Sequence, residues 1–383
     1  MLSREELAGW LRLGTTPGID RFAARRLLAA LGSPERVLAA HPHTLAALAG
    51  ADIAALVMRR DARHAEQLDA TERWLAQGSA NVPRDLVVLG DARYPDLLLR
   101  TADPPLLLFT LGRVELLSTF GVAVVGSRGA TPQGMDNARS FSRFLSDRKL
   151  TIVSGLAMGI DGAAHEGGLA GPGSTVAFVG TGLDLVYPLR HAKLMTRIAE
   201  QGLVASEYPL GTPALAYHFP NRNRLIAGIS LGTLVVEAAV ESGSLITARM
   251  ALEGGREVFA IPGSIHSPQS RGCHRLIQQG AKLVETGDDV LRELRLGPNA
   301  EASIARLSHP RASLFADEAT ELQAPNPDAA LLAALGHDPV TFDVLAARTG
   351  LPTERLAGRL LELELVGQLQ RLPGGLLQRR TPT

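Results

Sequence analysis

The chain has one cysteine, Cys273, in 383 residues. An internal disulfide is therefore impossible, and so is a cysteine-rich zinc site. Net charge is missing too, because Lys plus Arg and Asp plus Glu number 39 each. A balanced chain casts no long-range field toward a polyanion, which argues against a general chromatin-type binder. Any nucleic-acid contact has to come from a local patch, with an affinity that falls as salt is added. No apolar run approaches the roughly 20 residues of a membrane span. Glu5 and Glu6 interrupt the start where a leader would need an unbroken apolar stretch, so a cytoplasmic protein is expected. What is present, 45% hydrophobic and 20% charged residues, suits a globular protein of two or three domains.

Residues 1–80 read as helical, with apolar residues at helical spacing through Leu7, Leu11, Leu27, Leu28 and Leu31, then Leu56, Leu68 and Leu75. Pro17-Gly18-Ile19 breaks two of these runs and resembles the turn of a helix-hairpin-helix (SAM-like) module, with Gly50-Ala51-Asp52 as a weaker copy. Asp20 stands where such hairpins carry a glycine, and a carboxylate there repels phosphate. A small packing module is the alternative. From 81 to 295 short apolar runs (Val122–Val125, Ile152–Val153, Val176–Val179, Leu234–Val236, Val258–Ile261) alternate with helical stretches. That pattern predicts a mostly parallel sheet covered on both faces, with ligands beyond the carboxyl ends of its strands. Leu86–Leu89 and Leu106–Phe109 read as additional strands at its entry. Residues 296–328 have a linker's composition. Residues 329–383 read as helices Leu331–Leu335, Thr341–Thr349 and Thr353–Leu363, followed by a hairpin around Pro373-Gly374-Gly375, which is the winged-helix pattern. Its third helix carries both charge signs, so a protein and duplex DNA both remain candidate partners.

The densest chemistry lies at Tyr217-His218-Phe219-Pro220-Asn221-Arg222-Asn223-Arg224. Aromatic faces for base stacking sit beside arginines and amides at an expected helix start at Asn221, a setting that suits phosphate and unpaired bases together. Arg222 and Arg224 are two apart, so they diverge by roughly 200° around a helix, and one of them at most faces a ligand. Gly126-Ser127-Arg128 follows a strand and offers backbone, hydroxyl and guanidinium donors to phosphate. It is not a dinucleotide fingerprint, and a plain strand-to-helix turn is the alternative. Ser154-Gly155 opens a similar turn, and Ser242-Gly243 precedes another helix start. Asp161 and His165 share a helix face, either as an acid–base or ligand pair or as a support for a buried turn. They lack a third metal ligand and the context of a catalytic triad. Asp184 and Glu207 are read as restraints on arginines.

Gly126-Ser127-Arg128, Ser154 to Asp161, Gly180 to Asp184 through Tyr187-Pro188, Ser206 to Pro209, Phe219 to Ser230, Val236-Glu237-Ala238, Ser242 to Ala251 and Gly255 to Gly263 occur in the order seen in the DprA/Smf family of DNA-processing proteins, which the chain closely resembles. The resemblance implies a Rossmann-like domain flanked by a helical N-terminus and a winged helix. It implies a homodimer that binds single-stranded DNA without sequence preference, works against SSB, and loads RecA on incoming strands in natural transformation. It implies no catalysis, cofactor or metal. On this basis the DNA-binding residues are Gly126, Ser127, Arg128, Ser154, Gly155, Tyr217, His218, Phe219, Asn221, Arg222, Asn223, Arg224, Ser242 and Gly243. Arg128 matches the family's phosphate-binding arginine and Phe219 its stacking aromatic. The chain departs from the family at Ala214–Ala216, which lacks a lysine, and at Gly272-Cys273-His274, which replaces Gly-Thr-Asn. The alternative is a nucleotide-processing enzyme of the phosphoribohydrolase type, whose Gly-Thr-Glu element is faintly echoed by Gly232-Thr233 and Glu237.

Overall fold

The computed structural model describes residues 2–59 and 61–296, together with parts of 331–379. It divides into two compact units, Met1–His309 and Pro310–Thr383.

The first unit begins with six helices, α1 (Arg4–Thr15) to α6 (Ala62–Ala76). Ser3 and Glu6 form a reciprocal capping box on α1. The expected hairpin lies between α1 and α2 (Arg21–Leu31), where Gly18 takes φ +93. Asp20 accepts from the Ala23 N–H at 2.7 Å, so its carboxylate serves as the N-cap of α2. These helices do not pack as an isolated module. Their core continues into the sheet, with Trp74 of α6 edge-on to Phe109 at 6.0 Å. Arg21 also makes an ion pair with Asp103 at 2.6 Å and reaches Glu207 at 3.2 Å.

The remainder of this unit is a nine-stranded sheet in the order β1-β2-β6-β5-β4-β3-β7-β8-β9. Strands β1 (Arg84–Val88) and β2 (Leu107–Gly112) form an antiparallel margin, and β2 runs antiparallel to β6 (Leu203–Ser206). From β6 across β5 (Thr175–Phe178), β4 (Thr151–Ser154), β3 (Gly121–Val125), β7 (Gly232–Val235), β8 (Glu257–Ala260) and β9 (Lys282–Leu283) all pairs are parallel. Strands β6 and β9 are absent from the apolar runs read in the sequence. Alternate residues of β3 face opposite cores: Val122 and Val124 pack toward α8 (Pro132–Asp147) and α9 (Ile160–Leu169), while Ala123 and Val125 pack toward α11 (His218–Ile229) and α12 (Ser244–Glu253). Both faces are covered, as continuous apolar strands require. The chain winds outward from β3 in one direction through β4 to β6, and in the other through β7 to β9. The β3/β7 junction is therefore the topological switch point, where open sheets leave a crevice.

In the second unit the described residues include a helix, α15 (Phe342–Thr349), and an antiparallel hairpin of β10 (Leu369–Leu372) and β11 (Leu376–Arg379). Leu331, Leu345, Leu356, Leu360, Leu363, Leu369 and Leu377 form its core. The expected linker beyond Leu296, most of the first expected helix and the Pro373–Gly375 turn lie outside the described residues.

Candidate nucleic-acid interface

A cleft of about 470 Å³ opens at the β3/β7 switch point, within the usual range for ligand sites. The loop after β3 forms one wall with Gly126, Ser127 and Arg128. The approach to α12 forms the other with Ser242 and Gly243, and α11 contributes Phe219 and Asn223. The loop after β3 is held from beneath. The Ser127 N–H donates to the Glu237 carbonyl at 2.7 Å, and the Glu237 carboxylate accepts from the Thr131 N–H (2.9 Å) and hydroxyl (2.5 Å) at the start of α8. Glu237 is thereby committed to capping. Gly159 has φ +77, and a Cβ there would stand 2.7 Å from the Arg128 carbonyl, so only glycine allows α9 to approach this loop.

Arg128 is exposed, and its guanidinium has no hydrogen-bond or ion-pair partner among the described residues. It lies over the Phe219 ring, 5.5 Å from the centroid, which positions the cation without neutralising it. Phe219 is also 5.4 Å from the Tyr187 ring at a tilt of 34°. The guanidinium, unpaired among the described residues, gives the cleft a cation and the ring pair gives it flat faces, while the Ser242 and Ser244 hydroxyls at the start of α12 bond each other at 2.7 Å. Glu241, exposed on the rim, adds one opposing charge.

Several residues read as contacts in the sequence are placed otherwise. Helix α11 begins at His218, three residues before the expected start, which carries Arg222 inward. Arg222 is 3% exposed. Its Nη1 donates to the Gly155 carbonyl at 2.5 Å and to the Phe178 carbonyl. Burial pulls its pKa down to about 10, with Asp161 opposing the shift. Arg224, on the far side of the helix, pairs with Glu207 and lies 3.3 Å from Asp103, part of the tie to Arg21. Glu207 therefore restrains arginines as expected, whereas Asp184 accepts from the Gly211 N–H at 2.9 Å. Ser154 is buried and donates to the Val124 carbonyl at 2.7 Å. Gly155 is buried beneath Arg222, where a Cβ would stand 2.7 Å from Cζ. His218 is buried, stacked on Tyr208 at 4.0 Å. Tyr217 and Asn221 are exposed but do not line the cleft. Tyr187, outside the expected contacts, meets Phe219 beside the cleft; its signal in the sequence is an aromatic in the glycine-led turn after β5.

Asp161 and His165 both support the turn after β4. Asp161 accepts from the Gly155 and Ala157 N–H groups at 3.1 and 3.3 Å. Burial raises its pKa, and the Arg222 charge works against that. His165 Nε2 accepts from the Leu156 N–H at 3.2 Å, so Nδ1–H donates to Thr175 Oγ1 at 2.7 Å. Together they hold Leu156 at φ +57, a left-handed conformation costly for a branched residue. Burial lowers the His165 pKa to about 3 from 6.5. A depressed pKa contributes stability that is present above 6.5 and lost as the pH falls toward 3. Parent and His165→Gln should thus converge in urea-unfolding free energy between pH 7 and pH 4, by at most about 1.4 kcal/mol per pH unit. A constant difference across that range contradicts a neutral buried imidazole.

At the second departure from the family pattern, Cys273 packs its thiol toward the Val235 and Val236 carbonyls at 3.7 and 3.8 Å, and burial raises its pKa to about 12. His274 Nε2 meets the Gly263 carbonyl at 3.0 Å.

A doubly covered, mostly parallel sheet with a cleft at its switch point, flanked by an exposed arginine and a ring pair, defines a Rossmann-like fold. Sequence comparison narrows the class. The profile described as DNA recombination-mediator protein A matches residues 85–295, and that of the DprA winged helix domain matches residues 315–375. Protein Smf of Escherichia coli is 43% identical over 321 residues, 82% of each chain. DNA processing protein DprA of Streptococcus pneumoniae is 51% identical over 203 residues, 53% of this chain and 72% of that one. The chain belongs to the DprA/Smf family of DNA-processing recombination mediators. The X-ray structure of the S. pneumoniae protein superposes with a TM-score of 0.65 at 39% identity, covering 76% of this chain and 98% of that one. DNA processing protein A of Helicobacter pylori, described for its single-stranded DNA binding mode, superposes with a TM-score of 0.51 at 29% identity, covering 55% and 96%.

Proposed function

We propose that the chain binds single-stranded DNA without sequence preference in the switch-point cleft and acts there as a recombination mediator, loading RecA on incoming strands during natural transformation. It does so as a cytoplasmic homodimer that gives strands covered by SSB over to the recombinase. The division is 1–80 helical, 81–295 strand-binding, 296–328 linker and 329–383 a winged helix for a partner. The observation that carries the reading is Arg128: an exposed guanidinium, unpaired among the described residues, held over an aromatic ring at a cleft lined by Ser127, Ser242 and Asn223. Phosphate satisfies the cation, and a base satisfies the ring. The protein acts by binding and not by catalysis. Glu237, the carboxylate a phosphoribohydrolase-type reaction would enlist, is already committed to Thr131.

The test is a titration of the full chain with single-stranded and duplex oligonucleotides of one sequence, from low to moderate salt. Tighter binding to the single strand, with affinity falling as salt rises, is the expected result. Equal binding of both forms, or none of either, contradicts the reading. In a companion assay, the chain should speed RecA filament growth on strands pre-coated with SSB; no effect on that lag refutes the mediator step.

A further inference from the structure

Four charged residues from four separate segments close a ring beside α11. Arg21 of α2 pairs with Asp103, in the loop before β2, at 2.6 Å and with Glu207, after β6, at 3.2 Å. Arg224 of α11 pairs with the same Glu207 oxygen and lies 3.3 Å from Asp103. Two cations and two carboxylates thus alternate, and the ring carries no net charge. The Glu207 side chain is only 6% exposed, so water cannot stand in for a lost cation there. An isolated surface pair would hold little. Here each charge answers to two partners, and none can move alone. Arg21 is the member that comes from the helical N-terminus.

The ring connects to the cleft through the next residue in the chain. Tyr208 follows Glu207, stacks on His218 at 4.0 Å and donates its hydroxyl to the His218 carbonyl at 3.3 Å. His218 opens α11, and its Nδ1–H donates to the Gly180 carbonyl at 3.1 Å. Phe219 comes next, packed so closely on Gly180 that a Cβ there would stand 3.2 Å from its ring. Among the described residues no side chain caps this end of α11, so its first turn depends on these contacts to keep its shape. We infer that the ring of charges is a positioning device for strand binding: it sets Tyr208 and, through His218, the Phe219 ring over which Arg128 lies, so that Arg21 acts on the cleft from the helical N-terminus without touching the strand. The inference rests on the strand-binding reading above and names what holds its aromatic face in place. Asp20, spent as the N-cap of α2, offers phosphate no grip at that hairpin. Its neighbour Arg21 gives the same helix an indirect part in the function.

The test is a double-mutant cycle in the full chain, Arg21→Met with Phe219→Ala, titrated with a mixed-sequence single strand well below the unfolding midpoint of every variant. Arg21→Met should weaken binding about fivefold, a usual size for coupled residues, and should add nothing once Phe219 is replaced. Tyr208→Phe, which removes only the hydroxyl that meets His218, should show the same dependence on Phe219 with a smaller loss. A third measurement needs no DNA: with para-fluorophenylalanine placed at 219, Arg21→Met should shift or broaden the fluorine resonance. A loss of equal size with and without the Phe219 ring means that Arg21 only supports the fold or the overall charge, and overturns the inference. Binding undiminished by Arg21→Met overturns it too, as does a fluorine resonance unchanged from that of the labelled parent. A parent that binds no single strand overturns the strand-binding reading, while the fluorine comparison still decides whether the ring of charges holds Phe219.

Discussion

Arg128→Ala should weaken single-stranded DNA binding more than tenfold, at least about 1.4 kcal/mol, and leave the unfolding midpoint unchanged. The two halves of this expectation have one origin. Arg128 is exposed and bonds to no described side chain or carbonyl, so the fold loses only its contact with the Phe219 ring. The ligand loses a charge-assisted grip on phosphate, among the stronger polar contacts available. Arg128→Glu should weaken binding further, because a carboxylate would then join Glu241 at the rim. The loss should shrink as salt rises, since part of the wild-type affinity comes from released counterions. A charge-reversed protein that binds as tightly as the parent in a low-salt titration would remove Arg128 from the account.

Arg222→Met should have the opposite profile, with a large loss of stability first and of binding as a consequence. The side chain it replaces is buried and donates to the Gly155 and Phe178 carbonyls, and its charge opposes the burial cost of Asp161. Methionine fills much the same volume but leaves two carbonyls unpaired and a buried carboxylate without its cation. Breaking such an arrangement from one side costs about 3–5 kcal/mol, read from urea unfolding. Adding Asp161→Asn should recover part of that loss, because the two groups are coupled. A purely additive double variant would show that Asp161 and Arg222 do not share a charge balance. The two neighbouring arginine-bearing motifs thus separate into one left exposed over an aromatic ring and one built into the fold.

The architecture was legible because its signals are strong. Continuous apolar strands alternating with helices permit little besides a covered parallel sheet, and the joint order of the family strings fixed the class. Strands β6 and β9 were less legible. β6 is a four-residue run beside a margin of reversed direction, and β9 is two exposed residues whose pairing with β8 is decided in three dimensions. At the site, the helix start decided most of the outcome. Periodicity correctly separated Arg222 from Arg224, but it could not tell which of them pointed inward or that neither would be free. A start at His218 in place of Asn221 turns Arg222 beneath the turn after β4 and His218 onto Tyr208. Ser154 and Gly155 look like the Gly126-Ser127 pair in sequence, yet they lie one layer deeper, under the arginine that packs on them. Sequence spacing does not encode depth. Tyr187 could not be found by spacing at all, since it meets Phe219 from a loop 32 residues away in the chain.

Photo-crosslinking of a halogenated single-stranded oligonucleotide to the full chain, followed by mapping of the adducts, tests the central claim most directly. Adducts at Phe219 and Tyr187 that disappear when unmodified single strand is added in excess are the predicted result. Adducts confined to residues 1–80 or 310–383, with the switch-point cleft unmarked, would contradict it.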